Sequence, residues 1–200
     1  IAPATANTIG KIANGVDDTP VTTFATTAIG SGLPIVIAPA MHEPMYDHPG
    51  VYDNLEKLKN WGINIISPVV EEDKAKLPSI DAIATECQRA LSESSLEDKK
   101  VVITSGSTAE SIDPVRIITT RSSGKTGRAL AKEAYIRGAE VVIIHNYDGH
   151  IGYAEEIKVE SANEMIKSSI EEVKKGCDLF ISAAAVSDYT VKSREKKIKS

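Results

Sequence analysis

Two parts of the chain have residue types and spacings suited to chemistry on an anionic ligand. The first is the pair Pro3-Ala4-Thr5-Ala6-Asn7-Thr8 and Pro39-Ala40-Met41-His42-Glu43-Pro44-Met45-Tyr46. Each follows an apolar run that reads as a strand end. Small residues there let a flat ligand approach the backbone, and Thr5, Asn7 and Thr8 supply donors at a helix N-terminus, where an anion is favoured. A Thr or Asn helix cap with no ligand explains the same residues. Met41, Met45 and Tyr46 suit the wall of a flat cofactor, or core packing, where Met commonly fills gaps. His42 suits a catalyst, or a hydrogen-bonded structural group.

The second part begins where strand Val101–Thr104 opens into Ser105-Gly106-Ser107-Thr108. Glycine permits close backbone approach and the hydroxyls add donors, a reasonable phosphate turn. It is neither a Walker loop nor G-x-G-x-x-G. Arg121-Ser122-Ser123-Gly124-Lys125-Thr126-Gly127 stands directly before a helix. Hydroxyls, Gly and Lys at a helix N-terminus form an anion site. A capped helix with a solvated Lys125 is the plainer alternative.

These stretches need elements to position them. A short β-branched run, a small-residue turn and a helical stretch recur. Ile35–Ala38 reads as a buried strand, and 49–60 as a helix with Val51, Leu55 and Leu58 on one face. Gly62 stops that helix before strand 63–66, and 80–91 is a second helix. After a polar stretch, strand 101–104, helix 126–137, strand 140–144, a short strand 157–159, helix 162–175 and strand 178–183 follow. Strands alternating with helices imply parallel sheets covered on both faces. The polar stretch is expected to link two domains, residues 1–92 and 100–200, through 93–99. Each half is small for an independent core, so the first is expected to lack its beginning and the second its end.

Composition narrows the function. A net charge of −5 argues against broad nucleic-acid binding, which needs a basic face, but not against a small anion. No apolar run reaches the ~20 residues of a membrane helix. Cys87 and Cys177 fit no zinc spacing or disulfide framework, so two reduced thiols in a cytoplasmic protein are expected.

Taken whole, Pro3–Thr8 resembles the PASANT motif of the flavin-dependent cysteine decarboxylases, and Pro39–Tyr46 resembles their PxMNxxMW motif. Lys11–Asp18, His48-Pro49 and Asn54-Leu55 agree as well. The resemblance implies FMN at a subunit interface of a trimer-based assembly. It also implies that Asn7 holds the substrate carboxylate, and that Thr5, Ala6, Met41, His42 and Met45 lie at the flavin and substrate. His42 stands where the motif has Asn, and Tyr46 where it has Trp. The flap 68–78 has no Cys, which leaves the reductive proton donor unassigned.

Thr104–Arg116, Ile118–Gly127 and Ser182–Tyr189 closely resemble phosphopantothenate–cysteine ligases, and Lys197-Ile198-Lys199 resembles the start of their KxKK segment, with Ser200 at the fourth position. The two resemblances together point to the bifunctional enzymes of coenzyme A biosynthesis. The implied fold is α/β, two Rossmann-like three-layer units with mainly parallel sheets, a flavodoxin-like decarboxylase unit before a ligase unit. The implied chemistry is CTP-dependent joining of cysteine to 4′-phosphopantothenate with Mg²⁺, in a ligase that dimerises. Gly106, Ser107, Thr108, Ser122, Ser123, Gly124, Lys125, Ser182, Ala183, Ala184, Asp188 and Lys197 are implied at the nucleotide and phosphopantothenate. Asp188 reads otherwise as a loop carboxylate, and Lys197 as a solvated tail lysine. Thr120 stands where the family has an Asn that acts after the acyl-cytidylate forms, and it cannot present both functions of an amide. Two other classes fit less well. A regulatory flavoprotein conflicts with the ligase-like half, and a nicotinamide oxidoreductase lacks its glycine fingerprint.

Overall fold

The computed structural model describes residues 1–71, 73–149 and 151–198. Glu72 in the flap, and Lys199 and Ser200 of the KxKK-like segment, lie outside them. Contacts divide the chain into two compact units, Ile1–Leu91 and Ser92–Ser200.

The first unit contains α1 (Ala6–Ala13), α2 (Pro20–Gly30), β1 (Val36–Ile37), β2 (Met41–His42), α3 (Glu43–Tyr46), α4 (Pro49–Asn60), β3 (Asn64–Ile65), β4 (Val69–Glu71), β5 (Lys74–Lys76) and α5 (Ile80–Ala90). β1 runs parallel to β3. On its other edge β1 takes up residues 1–4: Ala38 N–H donates to Ile1 O at 3.0 Å, and Ala4 N–H to Ala38 O at 2.8 Å. Helix face Leu55 and Leu58 packs with Ile9, Ile12, Ala25 and Ile37, with Val51 at the margin. The flap does not stay open. It folds as β4 and β5, which continue antiparallel onto β2. Helix α2 was not expected from the sequence, because its Thr-rich interior has weak helix propensity. Its start is fixed by Thr19, Pro20 and a reciprocal Thr19–Thr22 capping box.

The second unit contains β6 (Lys100–Ser105), β7 (Ala109–Ser111), β8 (Ile117–Thr119), α6 (Lys125–Ile136), β9 (Glu140–His145), β10 (Glu155–Lys158), α7 (Ala162–Lys175) and β11 (Leu179–Ser182). Its main sheet runs β10-β9-β6-β11, all parallel. Alternating residues of β6 and β9 feed two cores. Val101, Ile103, Val141 and Ile143 pack with Ala131 and Ala134 of α6. Val102, Val142 and Ile144 pack with Met165 of α7. That is the signature of a parallel sheet buried on both faces. The segment 93–99, expected as a linker, is a folded turn of this unit. Leu96 packs on the α6-side core and its N–H donates to Arg137 O at 2.8 Å.

One buried charge ties α7 to the sheet. Glu172, 1% exposed, meets Lys175 and, at 3.2 Å, Lys100. Hydrogen bonds from Lys175 and Lys100 hold its carboxyl below the usual range, against the upward pull of burial. A carboxyl depressed in the fold contributes stability above its unfolded value, and loses it as pH falls through the folded one. Glu172→Gln should therefore lower stability near neutral pH by about 1–3 kcal/mol. The gap to wild type should close as pH drops below about 4. Urea midpoints measured from pH 7 down to pH 3 check this.

Candidate functional site

In the second unit the chain leaves β6 for β9 on one side, while β11 arrives on the other. Open α/β sheets take ligands in a crevice at such a switch point, outside the carboxyl ends of the strands. The residues there run side by side. Ala183 N–H donates to Thr104 O at 3.2 Å and Ala185 N–H to Gly106 O at 2.8 Å. A parallel bridge joins Ser107 to Ala185. Thr108 is fully buried, and its hydroxyl accepts from Ser187 N–H at 2.8 Å. Thr120, leaving β8, donates its hydroxyl to Ala185 O at 3.2 Å. Gly106, Ser107, Thr108, Thr120, Ala183 and Ala184 are thus one cluster. Ser182 ends β11 at its edge, and Asp188 is exposed just beyond Ser187.

The N-terminus of α6 closes another side of this crevice. Gly124 caps it in the left-handed region, at φ 70°, with no side-chain cap. Among the described residues no side chain caps its first-turn amides, as an anion site requires. Ser122, Ser123 and Lys125 flank this turn, with the Lys125 side chain exposed. The two glycines are demanded by the protein itself. A Cβ at Gly127 would lie 2.2 Å from Ser105 Oγ, and one at Gly124 2.6 Å from Tyr147 Cε1. Ser105 Oγ also donates to Gly124 O at 3.1 Å.

Three residues here were not singled out from sequence: Arg128, Asn146 and Tyr147. Asn146 donates to Ser107 Oγ at 3.2 Å. Tyr147 is sandwiched, with its ring 4.1 Å from His145 and the Arg128 guanidinium 4.7 Å from its centre. Burial pushes the Tyr147 phenol up. Arg128 also donates to Ser123 O at 3.0 Å, which holds a cation one turn into α6, beside the turn that Gly124 caps. His145 is buried and meets Glu156 at 3.1 Å. The available signal was the polar trio His145-Asn146-Tyr147 at the end of a strongly apolar strand.

Lys197 is elsewhere. β7 and β8 form a hairpin with Thr108 and Thr120 at its base and Asp113–Arg116 at its tip. The tail follows it, from Thr190 at Glu110 to Arg194 at Ile112 and Ile198 at Asp113. Lys197 is exposed at that tip, apart from the cluster at the base.

In the first unit, pairing of residues 1–4 with β1 brings the two motifs together at one end of the sheet. Ala40 N–H donates to Ala4 O at 3.0 Å. Thr5 is committed as the cap of α1, accepting from Thr8 N–H at 3.3 Å. Ala6 begins that helix. Asn7 is exposed, and no described residue pairs with its carboxamide. Met41 packs against the first core, the plainer of its two readings. Met45 and His42 are exposed, and His42 makes no cap to α3.

Residues 96–200, just over half of the chain, match the family described as the DNA/pantothenate metabolism flavoprotein C-terminal domain. The chain belongs to this family. Residues 1–92 match the flavoprotein family. The coenzyme A biosynthesis bifunctional protein CoaBC of Thermococcus kodakarensis is 52% identical over 203 residues, 100% of this chain and 50% of that protein. The CoaBC of Bacillus subtilis is 40% identical, covering 96% and 50%. A cysteine/cysteine sulfinic acid decarboxylase of an unknown prokaryotic organism is 38% identical, covering 100% and 58%. Among solved structures, the C-terminal domain of a CoaBC is similar at 38% identity over 50% of this chain and 52% of that one, with a TM-score of 0.46. The chain spans about half the length of the CoaBC relatives. No helix among the described residues is long and apolar enough to cross a membrane. Cys87 and Cys177 are free thiols.

Because Ser105 leaves no room beside Gly127, Gly127→Ala should destabilise the chain by about 1–3 kcal/mol or more. Ser105→Gly in the same chain should recover part of that loss, a coupling that urea unfolding followed by circular dichroism measures.

Proposed function

We propose that the chain serves two consecutive steps of coenzyme A biosynthesis, with the first unit in the decarboxylase and the second in the ligase. The observation that carries this reading is the meeting of Gly106–Thr108, the α6 N-terminus and Ala183–Ser187 beside Arg128, at the carboxyl end of β6 where an open α/β sheet takes its ligand. Such a place suits a nucleotide triphosphate. In the ligase step a 4′-phosphopantothenate carboxylate oxygen attacks the α-phosphorus of CTP and pyrophosphate leaves. The cysteine amine then attacks the acyl carbon of the acyl-cytidylate, CMP leaves, and the amine sheds a proton. The α6 amides, Lys125 and Arg128 stabilise phosphate charge through donors already in place before the reaction. Ser107, Thr108 and Ala183–Asp188 fix the position of attack. Thr120, with its hydroxyl on Ala185 O, shapes the loop rather than presenting an amide. Mg²⁺ enters with the triphosphate, in keeping with its preference for phosphates and water over an all-protein cage.

FMN fits the first unit. Ala4 pairs with 38–40, so the small residues of the two motifs lie side by side at the strand ends, and exposed Asn7, His42 and Met45 follow them in the chain. When bound, FMN supplies the oxidation beside the thiol that makes loss of carbon dioxide easy, and then returns the electrons. Asn7 binds the substrate carboxylate and orients it, and His42 donates to the substrate. The partners are small molecules, in an assembly of trimers through the decarboxylase and dimers through the ligase. The second reading, a ligase with a degenerate or regulatory flavoprotein half, draws support from the flap, which lacks a Cys.

The whole protein, given 4′-phosphopantothenate, cysteine, Mg²⁺ and CTP, should release CMP in a cysteine-dependent way and then carbon dioxide. ATP in place of CTP tests the base preference. Asn7→Ala should keep the flavin spectrum and lose carbon dioxide release, by on the order of 100-fold. CMP without carbon dioxide, in protein that holds flavin, would favour the second reading. Absence of cysteine-dependent nucleotide cleavage would sink the ligase assignment.

A further inference from the structure

Arg128 lies one turn into α6, and its N–H donates to Gly124 O at 3.0 Å, the bond that starts the helix. No side chain among the described residues caps the amides before it. Long side chains on a helix point back toward its N-terminus. Arg128 does so: its Nη2 donates to Ser123 O at 3.0 Å, in the residue just before the Gly124 cap. The cation is therefore within hydrogen-bond distance of the turn itself. Among the described residues this is the one hydrogen bond that the guanidinium makes, which leaves donors for an anion.

Tyr147 keeps the guanidinium in that place. The guanidinium carbon lies 4.7 Å from the centre of the Tyr147 ring. On its other face the ring stacks on His145 at 4.1 Å, with 23° between the planes. His145 is 2% exposed at the end of β9, and its Nε2 meets Glu156 of β10 at 3.1 Å. The edge of the ring is enclosed as well. A Cβ at Gly124 would lie 2.6 Å from Tyr147 Cε1, and one at Gly106 3.1 Å from Cδ1. A ring held on one face and along its edge takes its position from the sheet. Its hydroxyl is buried, and among the described residues no hydrogen bond of ordinary length reaches it. The neighbouring Ser105 hydroxyl is committed to Gly124 O. The ring face, not the hydroxyl, is what the fold uses.

We propose that Tyr147 is a positioning residue for phosphate binding: its ring, fixed on the sheet through His145, holds the Arg128 guanidinium beside the uncapped start of α6, so that one phosphate meets both the cation and the helix amides. The inference rests on the ligase reading, which supplies the nucleotide. Tyr147 touches no reactant. Both faces of its ring are occupied, so it offers no platform to a nucleotide base. Its part is to place a charge. A guanidinium already stacked has little freedom left to lose when the anion arrives, and a loose one pays for its ordering out of the affinity.

The test uses the whole protein and titration calorimetry of CTP with Mg²⁺, without cysteine or 4′-phosphopantothenate, so that nothing turns over. Tyr147→Leu removes the ring and keeps an apolar side chain. It should weaken CTP ~10-fold, the size of a desolvated cation–ring contact. Tyr147→Phe keeps the ring and should stay within about twofold of wild type, a rescue that a role for the hydroxyl would not give. Arg128→Leu should lose at least as much as Tyr147→Leu, and adding Tyr147→Leu to it should cost nothing more. In turnover, Tyr147→Leu should raise KM for CTP and leave KM for cysteine within about twofold. The proposal is overturned if Tyr147→Leu binds CTP as tightly as wild type, if Tyr147→Phe loses as much as Tyr147→Leu, or if the losses multiply in the double variant. If Tyr147→Leu fails to fold, Arg128→Lys decides. It keeps the charge without the planar fork, and wild-type affinity for CTP there would overturn the proposal, whereas ~10-fold weaker binding supports it. A wild-type protein that binds no CTP would overturn the ligase reading instead.

Discussion

Strand β6 is hydrogen-bonded on both edges, to β9 along Lys100–Ser105 and to β11 along Val101–Thr104. Ser105 at its end touches α6 so closely that position 127 must be glycine. The rest of the second unit depends on this pairing. It fixes the strand order, and the strand order opens the crevice. The contact between Ser105 and Gly127 fixes where α6 starts, and so where its unpaired amides point. The loop Gly106–Thr108 inherits its direction from β6 and hands it to the β7–β8 hairpin, which in turn holds the tail.

The crevice is lined less by long reactive side chains than by backbone held at short range. Glycine at 106, 124 and 127 gives room to Tyr147, Asn146 and Ser105. Two cations stand beside the turn, exposed Lys125 and Arg128, which is anchored on Ser123 O and the Tyr147 ring. A cation anchored by stacking loses little side-chain freedom when an anion arrives, unlike a free lysine. The Thr hydroxyls work differently: Thr108, Thr119 and Thr120 all bond to backbone and join the hairpin to neighbouring loops.

The main strands and helices were legible, β6 and β9 as continuous β-branched runs and α4 from an apolar face at helical spacing. The elements that were missed are those whose local code is weak. Helix α2 is built from Thr and small residues, and its clearest local mark is Thr19-Pro20 at its start. The β7–β8 hairpin has three-residue strands, too short for a period, although Asp113-Pro114 announces a turn. The segment 93–99 looks like a linker because its single apolar anchor, Leu96, makes no periodic pattern, yet that one residue docks it on the second core.

The sequence by itself determined which short stretches could do chemistry and that strands and helices alternate. These are local properties, written in neighbouring residues and their backbone preferences. Only the tertiary structure decided which candidates meet. It joined Thr120 to Ala185 and Thr108 to Ser187, committed Thr5 to a helix cap and Met41 to a core, brought Tyr147 and Arg128 to the crevice, and carried Lys197 to the hairpin tip beside Asp113. Apart from the Thr5 cap, each of these outcomes is a contact between residues far apart in the chain. Such contacts follow from strand order and register, which no local pattern of residue types encodes.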